Sequence, residues 1–491
     1  WRALSASVIV SVFFISILFF VMPVRMNALF NSGYGSIALR RYFYQSAWNA
    51  IEERPFFGIG LENGGEVFAA GYQSGWGVLM NVDSYTDKAH NNILDIIVQT
   101  GLVGFIFWAG LNIFLFGQCY LLWRRRETRA FAVAASSALA AYGISLFFGI
   151  SDISGVFYFW VIAALAVAGN SSFSRDSHRP GWLQAKLIFV KIFLKTKKKI
   201  LSLSIKAGAL LLATIAVGQI YFSFSSLLAD YYWLQIYRLL PSRQYFTVDV
   251  LWSYLDENAL NPIAKHYYQV NLAAYALSDF DYLPDLASQA LLRQNLKIIL
   301  ADLPVKNYDF RVMRARLSCF SQGAEAAKPL FADLMAFSPS RPAVYRNYAA
   351  CLRGAGLDEQ ALSVYRQALA LLPARSNFLF NDEHQSYSDF YASQIYVEIA
   401  LIQERLSDWP GAAESWRLAS FYQPDNFSIG QRLVDAYLKQ GKDDNALLIL
   451  EHYWRRQPDI VLWPSLISEI YASKHDSEQA EIWRQRSSIL N

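Results

Sequence analysis

In the stretch TDKAHNNILDIIVQTGLVGF, Thr86 to Phe105, one histidine, two asparagines and an aspartate stand directly before a long apolar run. His90 is the group there whose proton moves near neutral pH, which makes it a candidate general base. Thr86 or Asp87 fits as the N-cap of the following helix, which puts His90 in its first turn, where the positive end of the helix dipole disfavours imidazolium. Asn92, Asp95 and Gln99 recur at i, i+3 and i+7 and lay a polar stripe on the next two turns. Upstream, Arg40 and Arg41 lie on SIALRRYFYQSAWNAIEERPFFGIG, whose apolar spacing predicts an amphipathic helix over 36–51, resting near a membrane surface and stopped at Pro55. Such arginines either snorkel toward lipid phosphates or bind a ligand.

Other chemical motifs fail their context. Asp279 and Asp281 in SDFDY form a DxD, but in a turn between helices with no nucleotide fold around it, where capping and solvation explain both. The glycines of GIGLENGG, 58–65, have no preceding strand and no βαβ unit, so a phosphate-cradling loop is excluded. HExxH, GxSxG and Walker patterns are absent, and the sequence predicts neither a metal site nor a cofactor.

The elements that must position these residues are membrane helices. Of the 491 residues 54% are hydrophobic and only 17% charged, too apolar for an ordinary soluble protein. Candidate spans are 7–24, 101–123, 130–149, 156–169 and 200–224, close to the roughly 20 residues a bilayer core requires. Lys and Arg cluster after the second span (Arg124, Arg125, Arg126, Arg129) and after the fourth (Arg175 to Lys199). These loops therefore stay cytoplasmic, and the loop 25–92, the turn at Asp152 and everything past residue 224 fall on the opposite face. The opening at Trp1, almost inside a span, implies a fragment lacking further N-terminal helices. The net charge of +4 arises largely in the cytoplasmic loops and calls for no nucleic acid. Cys119, Cys319 and Cys351 have no metal or CxxC spacing and are expected as buried thiols.

The C-terminal part is a repeat array. Pro339, Pro373, Pro424 and Pro458 are separated by 34, 51 and 34 residues, and 34 is the tetratricopeptide period. Tyr345, Tyr348, Ala349, Leu352, Gly356, Ala361, Tyr365 and Ala368 occupy the repeat's packing positions, and the frame continues through Tyr396 to Ala419 and Leu433 to Leu450. A degenerate helix pair precedes (Ala315, Ala327, Phe331), a partial one follows around 470–484, and the insert ARSNFLFNDEHQSYSDF is expected as a loop, with partner contact the rival reading. The expected organisation is all-α: a polytopic membrane helix bundle over 1–226, an irregular helical connector over 227–307 and a soluble α-solenoid over 308–491, which offers a binding or bracing face.

The combination of an arginine before RPFFGIG, then AHNNILDIIVQTGLVG opening a membrane helix, resembles the O-antigen ligase and Wzy-like polymerase superfamily, which includes the O-oligosaccharyltransferases. The resemblance covers about 40–169. It implies a GT-C-like membrane glycosyltransferase of the bacterial inner membrane, with the repeat domain in the periplasm, that moves a glycan from undecaprenyl diphosphate to lipid A core, a polysaccharide end or a protein. On that match His90 is the catalytic histidine and Arg40 the diphosphate-holding arginine, with Arg41 the alternative by one register. Arg54, Asn91 and Asp152 of the matching segments join them as substrate-binding candidates. The chemistry is self-consistent: one base activates the acceptor hydroxyl for inverting attack, while the diphosphate leaves as a stable anion and needs positive charge in place of a proton donor. Guanidinium groups supply that charge in bidentate form. A rival of another class is a membrane-anchored tetratricopeptide scaffold for envelope assembly.

Overall fold

The computed structural model describes residues 35–61, 63–84, 86–147, 153–173, 227–239, 262–279, 296–301 and 303–490 apart from 305–306, 378–381, 457 and 459, with isolated positions between 214 and 294. All regular structure among them is helical. The spans expected at 7–24 and, almost entirely, 200–224 lie outside the described residues, as does Asp152. The chain divides into two compact units, one from residues up to 46 with 67–87 and 318 onward, the other from 47–66 and 88–317.

Helix α1, Gly35–Glu53, forms where its periodicity predicts and stops short of Pro55. Phe43, Ser46, Ala47 and Ala50 make its buried stripe, while Arg41 and Trp48 face outward. Phe43 meets the rings of Phe68 and Trp76 edge-on at 6.0 and 5.1 Å, so this stripe packs on protein where the sequence suggested lipid. Short helices α2 (Gly64–Ala70) and α3 (Ser74–Leu79) carry those partners.

Helices α4 (Asn92–Trp123), α5 (Arg129–Phe147) and α6 (Ile153–Phe173) pack together in the second unit. Alanines set their spacing: Ala132, Ala135, Ala163 and Ala166 close on Leu115, Cys119, Leu122 and Leu139, and small residues let apolar helices approach closely. The α4–α5 turn satisfies its own carbonyls, with Thr128 Oγ1 donating to Leu122 O at 2.6 Å and Arg129 Nε to Trp123 O at 3.2 Å. Asn92–Trp123 and Arg129–Leu146 are long and apolar enough to cross a membrane, and only 17% and 22% of their apolar windows are buried within the protein, unlike a soluble core helix. The expected fourth span appears as a shorter apolar stretch, Gly155–Gly169, inside α6. Helix α7, Pro262–Asp279, ends at the first aspartate of the DxD; the second lies outside the described residues.

Ten helices then follow in order. The first two, α8 (Tyr308–Gln322) and α9 (Ala324–Phe337), precede four packed pairs: α10 (Pro342–Gly354) with α11 (Asp358–Ala370), α12 (Asp382–Arg405) with α13 (Trp409–Tyr422), α14 (Phe427–Leu438) with α15 (Asp443–Arg456), and α16 (Leu462–Ser473) with α17 (Ser477–Leu490). The alanines that the repeat frame picked out, among them Ala349, Ala361, Ala368, Ala412 and Ala446, are fully buried at the crossings. Three expectations are corrected here. The last pair is complete, because Trp463 and Ile467 of α16 and Trp483 of α17 close one core with Leu450 and Tyr453. The insert after Pro373 is largely helical: past a 3-10 turn at Arg375–Asn377, its acidic and amide residues lengthen α12 by about two turns from Asp382. Cys319 and Cys351 are joined in a disulfide, with Cα atoms 5.9 Å apart, and only Cys119 is a free thiol. The separation of 32 residues is close to one repeat, so the bond links α8 and α10 at nearly equivalent repeat positions.

Candidate active site around the His90 loop

The 32-residue α4 is two helices joined at a break. Gly101 has φ 68° and ψ −172°, which interrupts the helical bonds across it. In an unbroken helix Leu102 N–H would bond Val98 O, and Val103 N–H would bond Gln99 O. Here the segment Pro55–Gly60 takes both places: Leu102 N and Val103 N donate to Pro55 O and Phe56 O at 2.8 and 3.2 Å, and Val98 O and Gln99 O accept from Ile59 N and Gly60 N at 2.9 and 3.0 Å. The four groups orphaned by the break are thus satisfied by one loop. Two glycines make this contact. A Cβ on Gly58, at φ +65°, would lie 2.5 Å from Val98 O, and one on Gly101 would lie 2.2 Å from Phe56 C. The PFFGIG and GLVG motifs are therefore the two halves of one backbone knot.

His90 precedes that broken helix. The N-cap is Asn91, whose Oδ1 accepts from Ile93 N and Leu94 N at 3.1 and 3.2 Å, so Thr86 and Asp87 are not the cap and His90 stands just outside the first turn. Its φ of 56° is left-handed, a conformation that histidine adopts more readily than most residues. The buried carboxylate of Asp95 accepts from Ala89 N at 2.7 Å, while Asp95 N donates to Asn91 O at 2.9 Å. The half-buried His90 is thereby held from the residues on both sides. Asp95, on sequence a member of a polar stripe, is the residue that fixes the loop; an acid placed in the first turn ahead of 20 apolar positions was the available signal.

The other candidates divide between the units. Arg54, Asn91 and His90 belong to the second, Arg40 and Arg41 to the first. Arg54 is exposed, with its carbonyl accepting from Gly58 N at 3.2 Å. Asn91 uses its side-chain oxygen as the cap of α4. Arg40 is half-buried and engaged, and Arg41 is exposed. Asn92, two positions after His90, lines an apolar cavity of about 440 Å³ with Trp108, Leu111, Phe116, Leu139, Tyr142 and Phe159.

In the first unit the segment 67–87 is seated on the repeats. Ser338 Oγ donates to Ala69 O at 2.8 Å, and His384 Nδ1 lies 3.2 Å from Asn81 Oδ1. Arg341, 1% exposed, stacks 4.6 Å over Tyr72 and donates to Asp83 O at 3.3 Å. The Tyr72 hydroxyl donates to Val82 O at 2.6 Å, and Trp76 is wholly buried beside it. Burial pushes the Asp83 carboxyl above the usual carboxylate range, against the pull of the Arg346 and Arg341 guanidinium groups and the Tyr391 hydroxyl. His384 of the insert, on the lengthened α12, makes its contact within the chain, to Asn81.

Among solved structures, a tetratricopeptide repeat protein from Parabacteroides merdae is 11% identical, over 54% of this chain and 94% of its own, with a TM-score of 0.33. The pilF protein of Pseudomonas aeruginosa is 12% identical over 45% and 90%, TM-score 0.30. YrrB, described as a TPR protein with an unusual peptide-binding site, is 12% identical over 37% and 85%, TM-score 0.28. No curated protein matches the chain. Residues 1–109 match the family model of the O-antigen ligases, a stretch that includes the knot, Asn91, Asp95 and His90.

Proposed function

We propose that the protein is a membrane glycosyltransferase that passes a glycan from an isoprenoid diphosphate carrier to a hydroxyl acceptor, with His90 as the base. The observation that carries this reading is the pinned His90 loop, set between the Asp95 and Asn91 bonds at the head of a broken apolar helix that begins inside the stretch matching the O-antigen ligases. His90 takes the acceptor proton, the oxygen attacks the anomeric carbon opposite the diphosphate, and inversion follows. Arg40, with Arg41 and Arg54 as further contacts, neutralises the departing diphosphate, and Asn91 and Asp152 are further substrate-binding residues. The apolar cavity that Asn92 lines has the size and character to hold part of an isoprenoid tail. The acceptor is lipid A core, a growing polysaccharide or a protein.

The domains follow the same reading: a membrane part over 1–226, a connector over 227–307 and the repeats from 308, which offer a protein partner a docking face on the periplasmic side of the inner membrane. The Cys319–Cys351 disulfide supports that placement, since disulfides persist in oxidising compartments. Full-length His90→Ala, assayed for transfer from a lipid-linked glycan, is expected to lose about 100-fold or more in rate. Asp95→Ala is expected to lower kcat with KM little changed, as a positioning residue should. Full activity in a normally expressed His90→Ala protein would end the proposal.

A further inference from the structure

The PFFGIG segment does more than close the break in α4, because it leaves its largest side chains outside. Phe56, Phe57 and Leu61, within six residues of one another, are 64%, 78% and 72% exposed, although large apolar groups in water cost free energy. Backbone bonds from Leu102 and Val103 fix Phe56 and its neighbours at the first turn past the break. That turn opens the outward apolar face of α4, where Leu102, Ile106 and Phe107 are exposed in sequence. The patch therefore continues the face of a helix long and apolar enough to cross a membrane.

Length places it. At 1.5 Å per residue the whole of α4 is about 48 Å long, far more than a hydrocarbon core of about 30 Å. The part from Leu102 to Trp123 is about 33 Å and matches that core. It ends at the stacked pair Tyr120–Trp123, followed by Arg124, Arg125 and Arg126, an aromatic and basic boundary of the interfacial kind. The break at Gly101 then falls at the opposite edge of the core.

We infer that Phe56, Phe57 and Leu61 form a lipid-inserted wedge, which rests in the outer edge of the bilayer and sets the depth of the broken helix. Resting on the membrane reading of α4, this gives the knot a second task. The wedge holds the start of the spanning half at the hydrocarbon edge, so the preceding half, about 14 Å long from Asn92 to Thr100, carries His90 out to the level of lipid headgroups. A lipid-borne diphosphate lies at that same level.

The test uses the full-length protein in phospholipid bilayers, in a Cys119→Ala background, with a nitroxide on Phe57→Cys, on Leu61→Cys or on Phe107→Cys. Collision with oxygen, which concentrates in lipid, is compared with collision with a neutral nickel chelate, which stays in water. The Phe57 and Leu61 labels are expected to favour oxygen, as Phe107 does. Nickel access at both, or shielding from both reagents as protein cover would give, with Phe107 still lipid-exposed, overturns the wedge. Nickel access at Phe107 itself would overturn the membrane reading of α4, and the wedge with it.

Discussion

Two regions flank the His90 loop in sequence, and they are held by different chemistry. The knot of Pro55–Gly60 on the Gly101 break is made of backbone: four N–H to carbonyl bonds and two glycines that permit the approach. The seat of 67–87 on the repeats is made of side chains: Arg341 over Tyr72, Trp76 in the interior, Ser338 and His384 reaching loop groups, and Asp83 facing two arginines. A backbone knot tolerates almost any side chain except at its glycines, whereas a side-chain seat depends on several long-range partners at once. The first should therefore fail sharply at single positions and the second by degrees.

The sharpest break is expected at Gly101→Ala. The new Cβ would meet the Phe56 carbonyl, and the residue would have to keep a φ of 68°. The left-handed backbone costs about 1–2 kcal/mol, and loss of the Pro55 and Phe56 bonds adds about 1 kcal/mol each. A destabilisation of about 3–4 kcal/mol is expected, with loss of transfer activity because α4 no longer presents the His90 loop. Hydrogen exchange at Leu102 and Val103 reads the knot directly; unchanged protection there would show that the four bonds do not hold the break.

How much of each region could be read from the chain follows from this difference. Pro55, Gly58 and Gly101 sit in short runs because backbone geometry is a local demand, so the motifs stood out even while the meaning of 58–65 was missed. The repeats were legible through their 34-residue period, which fixes where alanines must be small. The disulfide was visible in principle in that same period but not in any short Cys motif. The cap, expected at Thr86 or Asp87, lies at Asn91 because Thr, Asp and Asn all cap well, and the left-handed turn at His90 delays the helix past the first two. Arg341 and Asp83, 258 positions apart, carry no local signal at all.

In the side-chain seat the largest effect is expected at Arg341. Arg341→Ala removes the cover of Tyr72 and the bond to the Asp83 carbonyl, and loss of this buried stacking and charged hydrogen bond is expected to cost about 2–3 kcal/mol. Arg341→Met keeps the stem and should recover part of the loss. Exchange of the amides in 67–87 is expected to rise in step with the loss, while protection at Leu102 and Val103 stays unchanged. If both regions loosen together, they are not independent and the comparison fails.

The smallest expected effect is a pH dependence that decides which force governs Asp83. Burial raises its carboxyl above the value of 3.8 it has in the unfolded chain, whereas Arg346 and Arg341 act to lower it. If burial wins, the folded protein holds this proton over a range of pH in which the unfolded chain has released it. Stability from this group is then fully present below pH 3.8 and declines as pH rises through the folded-state value. Asp83→Asn cannot titrate, so the melting temperature of the wild type minus that of the variant should increase as pH is lowered from neutrality. A difference that shrinks toward acid would mean that the two guanidinium groups outweigh desolvation, and that the seat is held by an ion pair in spite of its burial.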